Sequence, residues 1–278
     1  MFIKKGKITV PTHDNYIAKI GIMSDIHVGY TSWGDYTKLD NVINKLNNAN
    51  VDFNVILGDC VDSGYTWTPE LLEEQVTILN NHIKKLKTPI FKMKGNHDSG
   101  VSEFTEFGSI TFNGIFKLIC IYPKWVGMTD ESSRGRLDEN EITWIENQLI
   151  DAETEGLIPI VLSHYCVHEI DSNFKWCICD VVSANTNPAT QNGQTYDGHR
   201  DDLVSLLDQY NVPLFINGHE HRPHLINDTV DNIDTVNLQI GTTTQVYVIL
   251  TVYSDKFVFI EYDSATNEET GYTLEIPY

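Results

Sequence analysis

Basic residues are scarce in this chain: 19 Lys and Arg stand against 39 Asp and Glu, giving a formal charge of −20. A field of that sign repels polyphosphate backbones and anionic headgroups, so neither duplex nucleic acid nor a membrane surface is an expected partner. Bound divalent cations would reverse the sign at one point, which leaves a small phosphate ester open as substrate. Long hydrophobic runs are also lacking. The opening MFIKKGKITVPTHDNY has no continuous apolar stretch, and no later segment is long enough to span a bilayer. Neither secretion nor membrane insertion is expected, and the chain reads as cytoplasmic. The five cysteines (Cys60, Cys120, Cys166, Cys177, Cys179) are odd in number and irregularly spaced, which fits reduced thiols and not a disulfide framework. The C-x-C of Cys177 and Cys179 is a weak metal signal. No repeat, Pro-rich linker or low-complexity tract divides the sequence. With 278 residues, 41% hydrophobic and 21% charged, residues 1–278 read as a single domain with a substantial core.

Strand and helix signals alternate through the first two thirds. The apolar run from Tyr16 to Met23 predicts a buried strand, and Leu39, Val42, Ile43 and Leu46 follow at helical spacing. Phe53 to Leu57 predicts the next strand. Thr68 and Pro69 suit an N-cap and first helical position, and Leu72, Val76, Leu79, Ile83 and Leu86 form one apolar stripe before Pro89. A short strand is expected over Ile90 to Met93. Asn113-Gly114 predicts a hairpin turn between Ile110–Phe112 and Ile115–Tyr122. Asp138 with Glu141 resembles a capping box ahead of Ile142, Ile145 and Leu149. Further strands are expected at Ile158 to Leu162 and Leu214 to Ile216, with a helix from Asp201 to Tyr210 between them. Beyond residue 224 the signals are all β: Val236 to Ile240, Val246 to Val252 and Phe257 to Tyr262. This mixture predicts two packed sheets flanked by helices. The segment at about 168–200, most polar from Ser172 to Arg200, is too long for a plain connection. It reads either as a loop over an active site or as a solvated insertion.

Polar motifs follow five of these strands: Asp25-Ile26-His27, Gly58-Asp59-Cys60-Val61-Asp62, Gly95-Asn96-His97-Asp98, Ser163-His164 and Gly218-His219-Glu220-His221. In an open α/β sheet, ligands gather beyond the carboxyl ends of the strands, so the motifs are expected to converge on one rim. Carboxylate, amide oxygen and imidazole suit hard or borderline divalent ions and need no thiolate. A bridging carboxylate can hold two ions about 3.5–4 Å apart, the separation that clamps both oxygens of an in-line displacement. The glycines before Asp59, Asn96 and His219 let the backbone turn sharply there. A lone Asp after a strand is usually a cap, and a lone His is usually structural. It is the ordered series that points to a metal site.

The set D-x-H, G-D-x-x-D, G-N-H-D, H and G-H-x-H, spanning about Ile20 to His221, resembles the calcineurin-like metallophosphoesterase superfamily. The resemblance implies an α/β (α+β) four-layer αββα sandwich of two mixed β-sheets between helices. It implies two divalent ions, drawn from Mn, Fe, Zn or Mg. Asp25, His27 and His221 would bind the first, Asn96, His164 and His219 the second, and Asp59 would bridge them, with a hydroxide between the ions attacking phosphorus in line. His97 would stabilise the transition state or protonate the leaving oxygen, and Asp62 would fix its orientation. Asp98 has the plainer reading of a turn cap. His168, His199 and His224 read as surface or substrate-side residues.

Phosphoprotein phosphatases of this superfamily carry Arg-Gly after the second Asp and end the third motif in Glu, where this chain has Ser63-Gly64 and Asp98. Purple acid phosphatases place Tyr where Asp62 stands. Gly135-Arg136-Leu137-Asp138 leading into Trp144-Ile145, with GNHD and GHEH, is similar to the cyclic-nucleotide phosphodiesterase-like branch, although Tyr165 replaces that branch's frequent second His. Aromatic residues follow the motifs: Tyr30, Trp33 and Tyr36, then Tyr65 and Trp67, then Tyr165 and Trp176. Tyr30, Trp33 and Tyr165 are the candidates for stacking on a nucleobase, against the alternative of ordinary packing. The leading expectation is a phosphodiesterase acting on a small nucleotide-like substrate. The alternatives are a phosphomonoesterase, a DNA nuclease of the same superfamily, which the acidity opposes, and a catalytically silent scaffold, which the intact His97 opposes.

Overall fold

In the strand Phe53–Ile56 every residue is buried, and the side chains alternate between two cores. Phe53 and Val55 enter a central core, whereas Ile56 faces helices. The neighbouring strand Ala18–Met23 repeats this, with Ala18, Ile20 and Ile22 central and Met23 outward. Across the centre, Phe116–Ile121 sends Phe116, Leu118 and Cys120 inward and Ile119 and Ile121 into a third core. The period-2 geometry of a strand buried on both faces thus generates a four-layer αββα sandwich. Truncating a central residue such as Phe116 to Ala would cost about 3–5 kcal/mol.

The computed structural model describes residues 6–8, 12–29, 36–62, 68–98, 100–125, 135–167, 177–178, 181–182, 196–230 and 233–278. Among these, one sheet has six strands in the order Glu269–Pro277, Lys256–Asp263, Val246–Val252, Ala18–Met23, Phe53–Ile56, Ile90–Lys92. The last three run parallel and the others antiparallel. The second sheet has seven strands in the order Gly6–Ile8, Gly108–Phe112, Phe116–Ile121, Ile158–Ser163, Leu214–Asn217, Val236–Gln239, Ile226–Thr229. Both sheets are mixed, as expected. The late β segment divides between them: Val236–Gln239 lies parallel to Leu214–Asn217, and Val246–Val252 returns to pair with Ala18–Met23. The strands Gly6–Ile8 and Ile226–Thr229 carry too little apolar alternation to be predicted from sequence, whereas Glu269–Pro277 has Tyr272, Leu274 and Ile276 at alternate positions and was not among the expected strands.

The helix Tyr36–Asn48 buries Leu39, Val42, Ile43 and Leu46 on the first sheet, the predicted stripe. Thr68 caps Pro69–Ile83 by accepting the Leu71 N–H. All five residues of the expected stripe belong to one core, Leu79 and Ile83 buried and Leu72, Val76 and Leu86 partly so, with Leu86 just past the helix end; Gln75 is buried beside them. Asp138 and Glu141 form a reciprocal capping box ahead of Glu139–Glu155, which with Arg200–Gln209 covers the second sheet. At the predicted hairpin, Asn113 and Gly114 both have left-handed backbone, φ 53° and 65°. Of the segment 168–200, Val181–Val182 pairs with Tyr196–Asp197, and most of the rest lies outside the described residues. Among the described residues no helix is long and apolar enough to cross a membrane.

Candidate metal centre

Ala18–Met23, Phe53–Ile56 and Ile90–Lys92 are parallel neighbours in one sheet, and Ile158–Ser163 and Leu214–Asn217 are parallel neighbours in the other. All five motifs therefore emerge at carboxyl ends. The loops tie to one another across the rim: Asp25 N–H donates to Gly58 O at 3.1 Å, His27 N–H to Asp59 O at 2.9 Å and Gly218 N–H to His164 O at 3.1 Å. Asp25, His27, Asp59, His219 and His221 all have left-handed backbone, with φ between 47° and 78°. Side chains bearing a Cβ adopt that region at a cost of order 1–3 kcal/mol each, and such strain collects at functional sites.

Three groups of donor atoms form among the described residues, and Asp59 belongs to two of them, the third being His27, Asp62 and His97. Asp25, His27, Asp59 and His221 bring one atom each within 4.8 Å of one another, as do Asp59, His164 and His219. In the first group, His27 Nε2 and His221 Nε2 face each other at 2.9 Å, Asp25 Oδ1 is 3.4 Å from His221 Nε2, and Asp59 Oδ2 is 3.5 Å from His27 Nε2. In the second, His164 Nε2 lies 3.2 Å from Asp59 Oδ2, 3.1 Å from His219 Nδ1 and 3.1 Å from Asn96 Oδ1. All seven residues expected as ligands are thus assembled at one point.

The donor set fits divalent cations. Asp25 Oδ1 is buried and receives no hydrogen bond, while Oδ2 accepts from Ser24 Oγ at 2.5 Å and from His219 N–H at 3.1 Å. Asp59 divides its oxygens the same way, Oδ1 accepting the His97 N–H at 2.9 Å and Oδ2 facing the imidazoles. Each carboxylate keeps one oxygen for the protein and one for the site. Outer contacts also fix imidazole tautomers, as is usual for ligating histidines. His164 Nδ1 lies 2.9 Å from Leu57 O and His27 Nδ1 lies 3.2 Å from Asp62 Oδ1, which leaves Nε2 of each ring as the nitrogen facing the site.

Electrostatics agree with that division. Burial opposes ionisation of Asp25 and Asp59, yet the surrounding imidazoles hold both below the usual carboxylate range. Burial likewise opposes protonation of His164, and the Asp59 carboxylate outweighs it, raising the ring to about 9. Asp62 Oδ1 stands 3.2 Å from both His27 Nδ1 and His97 Nδ1, and against burial these contacts bring its carboxyl down to about 2. His97 itself remains partly exposed at the rim. One carboxylate oxygen thus orients an inner imidazole and a solvent-facing one.

Not every expected contact is formed. Tyr165 is 0% exposed and packs on the site from beneath, its ring 4.4 Å from that of His219 and 5.4 Å from that of His164. Enclosed in that way it supports imidazoles and has no face for a substrate, which corrects the expected base-stacking role. Tyr30, Trp33 and His168 lie outside the described residues. His199 stands at the N-cap position of a helix without a capping side-chain hydrogen bond and contacts Asp202 at 2.7 Å, and His224 contacts the buried Glu261 at 3.0 Å. Ser24 and Gln75 were missed in sequence. Gln75 Oε1 accepts the Asp62 N–H at 3.2 Å. The clue is a polar residue in line with Leu79 and Ile83 on an otherwise apolar face.

Residues 18–223 match the family model described as calcineurin-like phosphoesterase. Among solved structures, a dimetal phosphatase from Danio rerio superposes with a TM-score of 0.73 at 12% identity, covering 95% of this chain and 100% of that one. A purple acid phosphatase from yellow lupin gives 0.64 at 13% identity, covering 94% of this chain, which spans 53% of that one. GAP50, the anchor in the inner membrane complex of Plasmodium, gives 0.59 at 14% identity over 94% of this chain and 88% of that one. No curated protein matches the chain in sequence.

Proposed function

The chain belongs to the calcineurin-like phosphoesterase family, and we propose that it hydrolyses a small, nucleotide-like phosphodiester using two divalent cations gathered around Asp59. The observation that carries this reading is the pair of donor groups sharing that one carboxylate. Asp25, His27 and His221 would hold one cation, Asn96, His164 and His219 the other, and Asp59 both. Mn, Fe, Zn and Mg all suit such oxygen and nitrogen donors. When bound, such a pair supplies Lewis acidity and lowers the pKa of coordinated water.

The chain's own residues supply the rest. Asp62, with one oxygen 3.2 Å from His97 Nδ1, holds that ring so that the imidazole can pass a proton to the departing oxygen. A diester brings one negative charge where a monoester brings up to two. The charge of −20, and Ser63 where phosphoprotein phosphatases carry arginine, both favour the less charged ester. Cys60, Cys120, Cys166 and Cys177 are buried and none is in a disulfide among the described residues, which fits a reducing, cytoplasmic setting.

Hydrolysis of bis(p-nitrophenyl) phosphate, p-nitrophenyl phosphate and a set of cyclic nucleotides by the Mn- or Zn-loaded protein tests the reading. The expected result is a kcat/KM for diesters at least about tenfold above monoesters, a difference of roughly 1.4 kcal/mol. Equal or reversed preference overturns the diester assignment. Metal binding without turnover on any ester overturns the enzymatic one in favour of a scaffold.

A further inference from the structure

Past the hydrogen bond from Met93 N–H to Ile56 O, the loops after Phe53–Ile56 and Ile90–Lys92 are joined by a side chain. The Asp98 carboxylate is completely buried and accepts three backbone N–H groups: Cys60 at 3.1 Å and Gly95 at 2.9 Å on Oδ2, and Val61 at 3.1 Å on Oδ1. A turn cap would account for Gly95 alone. The bonds to Cys60 and Val61 reach into the loop that carries Asp59, and that loop answers in kind, since Asp59 Oδ1 accepts the His97 N–H at 2.9 Å. The backbones lie so close that a Cβ on Gly58 would come 2.7 Å from Gly95 N, and one on Gly95 2.2 Å from Asp59 Oδ1.

We propose that Asp98 is a positioning residue that fixes Asn96 and Asp59 relative to one another and so governs the affinity of the cation held by Asn96, His164 and His219. Asn96 lies between Gly95 and His97, whose N–H groups are both engaged in this interlock, so the direction of its amide oxygen follows from it. Asp25, His27 and His221 stand on loops that Asp98 does not bond. Asp59 serves both cations and Asn96 only one, so losing Asp98 disturbs one ligand of the first cation and two of the second, and its effect is unequal between them. This inference rests on the dinuclear reading.

Calorimetric titration of the metal-free protein with Mn²⁺ tests both separately. Two binding events in the wild type are the premise, and one event or none would overturn the dinuclear reading itself. Asn96→Ala identifies the event that belongs to its cluster. Asp98→Asn is then expected to weaken that same event by about 10–100-fold and to leave the other within about threefold, the scale on which outer-shell partners act. Equal weakening of both events, no change, or weakening of the other event alone overturns the proposal. Amide exchange in the metal-free wild type reads the interlock without a variant. The Cys60, Val61 and Gly95 amides are expected to exchange as slowly as those of the flanking strands, and exchange at open-loop rates contradicts it.

Discussion

Asp25, His27 and His221 surround their point with a second carboxylate and an imidazole whose side chain is 36% exposed, whereas Asn96, His164 and His219 surround theirs with a neutral amide and two buried rings. The first half of the centre attracts a cation by charge and opens to solvent through His221. The second has only the shared Asp59 for charge, and relies on enclosure and on outer contacts such as His164 Nδ1 with Leu57 O and the bonds around Asp98. Charge sets attraction and enclosure sets exchange, so the two positions are expected to differ in how fast they release metal. The open half is expected to exchange first.

The largest effect that sharpens this comparison concerns a residue assigned to neither half. His97→Ala should keep both metals and lower kcat about 10²–10⁴-fold on esters with poor leaving groups, with a smaller loss on p-nitrophenyl esters. An equal loss on both substrate types would remove His97 from proton delivery. Next, His221→Ala and Asn96→Ala should each weaken one metal-binding event by at least about tenfold, and not the same event. If both variants weaken one event, the division into halves fails.

A smaller effect follows from protonation. In the metal-free protein the Asp59 carboxylate keeps His164 protonated up to about pH 9, against the effect of burial. A cation taken by its Nε2 must displace that proton, so uptake at pH 7.5 should release about one proton from this ring, and affinity should rise with pH until the ring is neutral. Calorimetry in buffers of different ionisation enthalpy measures the release. Uptake without release at that pH would mean that His164 is not a ligand. Smallest of all, Asp138→Ala removes a helix cap remote from the centre and should cost about 1 kcal/mol with both metal affinities unchanged. A change in either affinity would show that the centre is coupled to global stability, and the comparison between halves would need that correction.

The parts of the centre legible in sequence are those in which residue type alone limits the chemistry. Asp25, Asp59, Asn96, His164 and His221 each follow an apolar run within a few residues, and their order is enough to bring them to one rim. The parts that were not legible depend on three-dimensional neighbours. Nothing in the sequence around Tyr165 distinguishes a ring facing substrate from one packed on His219, because both follow a strand and both are aromatic. Gln75 interrupts an apolar stripe in a way that reads as noise until Asp62 N–H is found against its oxygen. Asp98 reads as a cap until its bonds to Cys60 and Val61 are seen. The fold divides similarly: the alternating strands were predictable, but the return of Val246–Val252 to the first sheet was not, since both sheets accept an equally apolar strand.

The sharing of Asp59 between the two donor groups is the central claim, and metal stoichiometry of Asp59→Asn beside the wild type tests it most directly. The wild type should bind two ions per chain, and the variant should lose affinity for both together, because the amide keeps the shape of the side chain and removes the charge that both positions share. A variant that loses one ion while binding the other with wild-type affinity would contradict the account.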